Sequence, residues 1–400
     1  MNFQNKRAGM IKSSPSMAVS MLAKKMVSEG LDVIDLSLGE PDFDTPPHII
    51  EAAHQAMLAG KTRYTAPNGV ESLRKAIVAK FKRDNQIDYQ LDEITLGNGA
   101  KQLIFNAFLS TLEEGDEVLV PTPYWVSYTD IAILHGGKPV LVECGIEDDF
   151  KITAEKLAAA ITPKTRWLLL NSPSNPSGAI YTREEYVALG KVLENHPNVI
   201  VMSDEIYEHI ITGDTPFVSF VSACPALKDR TLIINGVSKA YAMTGWRLGY
   251  AVGPKALIDC MNKMQSQSTT CPSSISQIAS AAALDGPQDF VSMASKQFAI
   301  RSAEVTKALR AIPGLEVSDS KGAFYAFPKC AAFIGKKTPA GEVIQSDTDL
   351  STYLLQVGLV ATVPGSAFGL EGYVRLSTAT SSEQLAKATA RIADALAQLK

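Results

Sequence analysis

Between Gly236 and Gly249 the chain reads Gly-Val-Ser-Lys-Ala-Tyr-Ala-Met-Thr-Gly-Trp-Arg-Leu-Gly. Lys239 lies just past an apolar run, Thr231-Leu-Ile-Ile-Asn235, which reads as a buried strand. An amine withdrawn from water gives up its proton more readily and becomes a nucleophile towards carbonyls, so a lysine placed there suits Schiff-base chemistry. Small residues around it leave room for a flat cofactor. Arg247, in the glycine-bearing loop after it, supplies a planar fork of donors that matches a phosphate. The plainer reading is a surface lysine at a strand-to-loop transition.

Four further constellations bear on that choice. In Leu96-Gly-Asn-Gly-Ala-Lys101, Gly97 and Gly99 precede a strongly helical stretch, so Ala100 and Lys101 offer N–H groups at a helix N-terminus, a natural anion site. Tight turns explain such glycines equally well. Neither a P-loop Lys-Ser/Thr nor a complete G-x-G-x-x-G is present, which disfavours nucleotides. Asp204 follows the apolar run Val199–Met202 with only Ser203 between, at the end of a buried strand where an unpaired carboxylate is costly. A cationic ring nitrogen would compensate it, and Tyr207 stands three residues on; a helix-capping aspartate is the alternative. Asn171-Ser-Pro-Ser-Asn-Pro-Ser-Gly178 is a rigid turn that presents Asn175, and Pro121-Thr-Pro-Tyr-Trp125 presents a flat indole. Turn chemistry and packing account for both segments as well. Arg375, in Tyr373-Val-Arg-Leu-Ser377, can grip a carboxylate with two donors, or make an ordinary surface ion pair.

These residues need strands to carry them. From about 45 to 286, short apolar runs at 118–120, 167–170, 199–202, 232–234 and 248–252 alternate with amphipathic stretches such as 182–194. Thr182 and Glu185 have the spacing of a capping box. Strand and helix in alternation predict an α/β domain with a mainly parallel sheet, and in such sheets ligands sit beyond the carboxyl ends of the strands. Residues 1–44 and 290–400 are expected to form a smaller α+β domain, with 45–289 as the large domain. The smaller domain's predicted elements are a helix over 18–28, strands at 33–36, 322–327, 360–363 and 374–377, and helices over 288–311 and 382–399.

With 400 residues, 46% hydrophobic and 20% charged, the chain has the composition of a soluble globular protein of two domains. A net charge of −4 without blocks of like charge provides no field for nucleic acid. Five scattered cysteines, none in C-x-x-C spacing, indicate neither a disulfide framework nor a metal site. No apolar run is long enough to span a membrane, and the N-terminus lacks a signal core, so a cytoplasmic location is expected.

Taken in order, Gly39-Glu-Pro-Asp, Tyr64, Gly99-Ala-Lys101, Tyr124-Trp125, Asn175-Pro-Ser-Gly, Asp204-Glu-Ile-Tyr207, Ser238-Lys239, Arg247 and Arg375 resemble the fold-type-I class I pyridoxal-phosphate aminotransferases. The likeness covers essentially the whole chain and is nearest to the short-chain subgroup of bacterial aspartate aminotransferases. It implies a mainly parallel sheet of the seven-stranded type. By resemblance, Lys239 binds pyridoxal 5'-phosphate covalently and shuttles the proton, Asp204 pairs with the pyridine nitrogen, and Tyr207 bonds the phenolic oxygen. Trp125 stacks on the ring. The phosphate falls to Gly99, Ala100, Lys101, Ser238 and Arg247, with Tyr64 reaching the neighbouring subunit of a homodimer. Asn175, Arg375 and Gly39 resemble the clamp on the substrate α-carboxylate.

Two departures stand out. The better-known subgroup has a serine where this chain has Gly236, and no arginine for a distal carboxylate appears around 265–271. Lys101 and Ser14 occupy the places that match the short-chain subgroup's substitute. The implied activity is reversible ping-pong amino transfer between L-aspartate and 2-oxoglutarate. Its rivals are an aromatic-amino-acid or prephenate aminotransferase, an alanine-type enzyme, or a β-lyase. A regulator of transcription built on the same scaffold would need a DNA-binding domain for which the acidic chain has no room.

Overall fold

Residues that prefer extended backbone and bury both faces generate the frame of this molecule. The computed structural model describes residues 3–11 and 15–400. Strand β1 (Ile34–Asp35) precedes the main run. Then come β2 (Ile94–Gly97), β3 (Glu117–Pro121), β4 (Lys138–Val142), β5 (Thr165–Asn171), β6 (Ile200–Asp204), β7 (Thr231–Gly236) and β8 (Gly249–Val252). These seven form one sheet in the order β2-β8-β7-β6-β5-β3-β4. All neighbours are parallel except β8, which runs antiparallel to both β2 and β7. The mixed α/β architecture with a mostly parallel seven-stranded sheet is the one expected.

The apolar runs are continuous rather than alternating because helices cover both faces of the sheet. Leu103, Phe108, Trp167, Met202 and Ile234 pack on one side; Leu168, Leu170 and Val201 meet Tyr186, Leu189 and Leu193 on the other. Even the indole N–H of Trp167 is satisfied, donating to Thr111 Oγ1 at 3.0 Å.

Outside the main sheet, β9 (Tyr325–Ala326), β10 (Val360–Ala361), β11 (Val363–Pro364) and β12 (Val374–Ser377) complete the strands. β1 pairs in parallel with β10, and β11-β12-β9 form an antiparallel trio. The helices Asp289–Arg310 and Ser382–Ala397 pack over them through Val305, Leu309, Leu385 and Ile392. No helix among the described residues is long and apolar enough to cross a membrane.

Several boundaries depart from the sequence expectation for identifiable reasons. The run 360–363 is two strands, since Val360 pairs with Ile34 while Val363 pairs with Arg375 in a different sheet. The expected strand 322–327 contracts to Tyr325–Ala326 because Gly322 N–H and Ala323 N–H are taken by Gly178 O and Ile210 O. β4 carries no dense apolar signature, because it is an edge strand with Pro139 inside and a partly exposed face. β2 is too short to distinguish from the helix start just beyond it.

The helix Arg183–Glu194 starts as its sequence requires. Glu185 N–H donates to Thr182 Oγ1 at 3.3 Å, and Thr182 N–H donates to the Glu185 carboxylate at 2.7 Å. Thr182→Ala should lower stability by about 1 kcal/mol, while Thr182→Ser should retain most of it. Urea denaturation midpoints of the two variants check this; equal midpoints would mean the cap carries no weight.

Candidate active site

Four strand ends converge at one edge of the sheet. β2 ends in Gly97, β5 in Asn171, β6 in Asp204 and β7 in Gly236; β8 begins there with Gly249. Register places Gly249 opposite both Gly97 and Gly236, and Asn171 opposite Asp204. Three adjacent glycines remove side chains where the chain must leave the sheet.

The turn after β7 carries Lys239. Its Nζ donates to Gly39 O at 2.5 Å and lies 5.8 Å from the centre of the Tyr207 ring and 5.9 Å from that of Phe324. Burial among these groups pulls the ammonium down to about 8, with Arg375 and Arg247 adding repulsion and Glu40 and Asp204 opposing it. Asp204, on the neighbouring strand, is buried. One carboxylate oxygen accepts from Tyr128 Oη at 2.6 Å, the other from Ile206 N–H at 3.3 Å. Burial nevertheless pushes Asp204 up to about 6, because one phenol and one amide replace less than the lost hydration.

A cavity of about 570 Å³ opens over these two groups. Its wall brings together Gly39, Ala100, Lys101, Trp125, Asn175, Asp204, Tyr207, Ser238, Lys239, Arg247 and Arg375. Gly99 adjoins it through Arg247. Tyr64 is 89% exposed and lies outside the cavity of its own chain. Ser14 lies outside the described residues. A roomier hollow of about 1060 Å³ runs between the helices Asp289–Arg310 and Ser382–Ala397, walled largely by Ala, Leu and Ile. The chemistry belongs to the smaller space.

At one end stands the N-terminus of the helix Ala100–Thr111, whose first-turn N–H groups have no acceptor within the helix. Gly99 precedes it at φ +80°, and a Cβ there would sit 2.5 Å from Arg247 Nη2. A Cβ at Gly249 would strike Ala100 N at 2.5 Å, so Gly249 is what allows the loop to close down. Arg247 is held over this end by Thr244 O at 2.9 Å and Asn98 O at 3.3 Å. Gly236 has its own constraint. A Cβ there would lie 3.1 Å from Gly249 Cα, Leu248 O and Ile206 Cδ1, so a serine at this position would be crowded by backbone.

At the other end Arg375 is buried beneath the cavity, its guanidinium stacked 4.7 Å from the Tyr325 ring centre and 4.9 Å from that of Phe368. Nη1 donates to Asn175 Oδ1 at 2.9 Å and Nη2 to Ser37 O at 2.6 Å; Nε is buried without an acceptor. Burial lowers its proton affinity. A guanidinium that lines the cavity with no carboxylate partner suits an anion there. Asn175 is fixed in turn, its N–H donating to Asn171 Oδ1, while Asn171 Nδ2 donates to Asp204 O.

Lys101, solvent-exposed, reaches over Trp125 with Nζ 4.8 Å from the ring centre. Trp125 meets Tyr128 edge to face at 5.3 Å. Tyr207 Oη and Tyr325 Oη share a hydrogen bond of 2.8 Å. Sequence reasoning missed Tyr128, Tyr325 and Asn171. Tyr128 stands one helical turn beyond Trp125, a spacing that could have suggested a shared face; nothing local marks Tyr325.

The sequence family described as aminotransferase class I and II matches residues 31–392. The chain belongs to this family. It is 52% identical over 393 residues to an aspartate aminotransferase of Rhizobium meliloti, covering 98% of this chain and 96% of that one. It is 49% identical over 392 residues to a probable aspartate/prephenate aminotransferase of Rickettsia felis, covering 98% and 96%. A crystal structure of the aspartate aminotransferase from Rhizobium meliloti superposes with a TM-score of 0.96 at 52% identity, covering both chains fully.

Enzymes of this family depend on pyridoxal 5'-phosphate. The residues present fit that group. A buried carboxylate short of partners, an amine of lowered proton affinity and a helix N-terminus preceded by Gly99 with Arg247 beside it offer complements to a pyridinium, an aldehyde and a phosphate.

Without cofactor, Lys239 is a liability. Its proton affinity is depressed in the folded protein, so the cost is fully present below pH 8 and vanishes as pH rises towards the unfolded amine's value near 10.4. Lys239→Met should therefore stabilise the cofactor-free protein at pH 7, by on the order of 1–2 kcal/mol since the amine still faces the cavity. Melting temperatures of both cofactor-free proteins at pH 7 and pH 10 check it. A gain that persists undiminished at pH 10 would rule out the electrostatic cause.

Proposed function

We propose that this protein is an aspartate aminotransferase, moving an amino group reversibly between L-aspartate and 2-oxoglutarate to give oxaloacetate and L-glutamate. The observation that carries the reading is the buried Asp204 carboxylate on β6 beside the half-buried Lys239 amine after β7, facing one cavity with Arg375 at its far wall. Pyridoxal phosphate supplies an electron-withdrawing ring and an aldehyde. Asp204 would favour a proton on its ring nitrogen, Tyr207 Oη would bond the phenolic oxygen, and Trp125 would cover one ring face. Ala100 and Lys101 N–H, Ser238 Oγ and Arg247 would hold the phosphate, with the Gly99 backbone, whose own N–H is taken by Gly97 O at 2.7 Å, forming the wall beside it.

Lys239 would hold the aldehyde of the cofactor and, once the substrate amine takes its place, would carry a proton at Nζ away from the substrate Cα and give it up again within the same half-reaction. An amine with a value of about 8 has a useful neutral fraction near neutral pH and still releases a proton readily. Arg375, steadied by Asn175 and Ser37, grips the α-carboxylate, with the Gly39 backbone beside it. Lys101, with Ser14, takes the distal carboxylate. A split into 45–289 and the combined termini 1–44 and 290–400 is part of the same reading. So are a homodimer in which Tyr64 reaches the neighbouring site and a cytoplasmic location. The high exposure of Tyr64 supports an intersubunit role.

The first test uses the purified protein with its cofactor. Borohydride should trap the cofactor on Lys239, and L-aspartate and L-glutamate should discharge the bound chromophore faster than alanine does. A colourless protein, or trapping elsewhere, would sink the reading. The second reading, an aspartate/prephenate or aromatic enzyme, is favoured by the name of the Rickettsia felis relative. Activity with prephenate or phenylpyruvate as amino acceptor supports it.

Lys101→Ala should lower kcat/KM for aspartate by about 10²-fold, the scale of a lost charge-assisted contact. Alanine as donor should change far less. Equal losses for both donors would remove Lys101 from the distal-carboxylate role.

A further inference from the structure

Away from the cavity, the most deeply buried ion pair among the described residues joins Lys80, the last residue of the helix Glu71–Lys80, to Glu208, both fully enclosed. The carboxylate of Glu208 is completely used. It accepts from Lys80, from Asn235 Nδ2 at 2.6 Å and from Asn85 Nδ2 at 2.9 Å, while Lys80 Nζ also donates to Asn85 Oδ1 at 2.8 Å. The nearby Glu205 accepts from Ser203, Ser219 and Phe220 N–H, and burial pushes that carboxyl up to about 8.

A buried ion pair adds little net stability over apolar residues of the same shape, so its presence calls for another reason. What the pair connects provides one. Glu208 lies in the turn after β6, next to Tyr207 and four residues past Asp204. Asn235 lies at the end of β7; its Oδ1 accepts from Gly236 N–H at 2.7 Å, at the start of the turn that carries Ser238 and Lys239. A second link, Glu205 N–H to Ile234 O, belongs to the backbone of the same two strands. The bond from Asn235 Nδ2 to the Glu208 carboxylate thus adds a side-chain bridge between the two turns, and Lys80 keeps that carboxylate charged and fixed.

We propose that Lys80, Glu208 and Asn235 form a positioning cluster that locks the end of β6, with Asp204 and the turn bearing Tyr207, to the turn bearing Ser238 and Lys239. These residues touch no substrate. They hold constant the spacing between amine and carboxylate that the site needs, and a side chain displaced by about 1 Å can cost about 10²-fold in rate. The inference rests on the reading of Asp204 and Lys239 as cofactor contacts.

Two variants test it in the cofactor-loaded protein. The double variant Lys80→Met/Glu208→Gln removes both charges together, so no uncompensated ion is left behind. Asn235→Ala leaves the ion pair intact and cuts only the link to the lysine turn. Both should still fold, with a melting temperature lowered by the few degrees that lost buried hydrogen bonds cost. Both should shift the pH midpoint of the bound cofactor's absorbance change by about 0.5 unit or more. Both should also slow the half-reaction with L-aspartate about tenfold, with KM little changed. Wild-type midpoints and rates in both variants would overturn the proposal, and so would failure of both to fold, which would assign the cluster to stability alone. Failure of the wild-type protein itself to bind colour at Lys239 would instead overturn the reading of the site.

Discussion

The arrangement depends on holding two opposite charges, largely stripped of water, at and just past the ends of neighbouring strands. Asp204 and Lys239 are each shifted towards neutrality by burial, the carboxyl up to about 6 and the amine down to about 8. Neither is stabilised much by the other. Such groups persist because the rest of the sheet holds them there: β5, β6 and β7 are packed on both faces and cannot relax to let solvent in. The site is polar chemistry imposed by an apolar frame.

Access to that pair is a matter of missing side chains. Gly97, Gly249 and Gly236 lie side by side in register at the sheet edge. With no Cβ on Gly249, the backbone at 99–100 approaches within contact distance, and the helix N-terminus is brought down beside Arg247. The absence of a serine at 236 fits the same crowding. A gain of one hydroxyl there would come with a backbone shift next to Ile206, in the turn that carries Tyr207.

Much of this was legible in the sequence because local pattern and strand ends coincide. The runs that become β3, β5, β6 and β7 are apolar without alternation, and Asp204 and Lys239 are polar residues at or just past two of them. The parts that stayed hidden are non-local. Tyr128 bonds Asp204 across 76 residues and Tyr325 meets Tyr207 across 118, and neither tyrosine differs locally from any packed aromatic. The division of 360–363 between two sheets, and Pro139 within β4, depend on partners that periodicity does not reveal. Tyr64 stands outside the cavity of its own chain, so only the family resemblance marks it.

The two carboxylate contacts proposed for the substrate differ physically, and that difference bears on specificity. Arg375 is buried, stacked between two aromatic rings and held through both terminal nitrogens, so it fixes one anion at one place. Lys101 is exposed, carried on a flexible stem over Trp125, with its charge weakened first by partial desolvation and then by Arg247. A rigid fork at one end and a mobile point charge at the other suit acids that share an α-carboxylate but differ in the length and shape of the side chain. If Lys101 takes the distal carboxylate as proposed, the distal end rather than Arg375 would govern whether an aspartate-like or a bulkier prephenate-like skeleton is accepted.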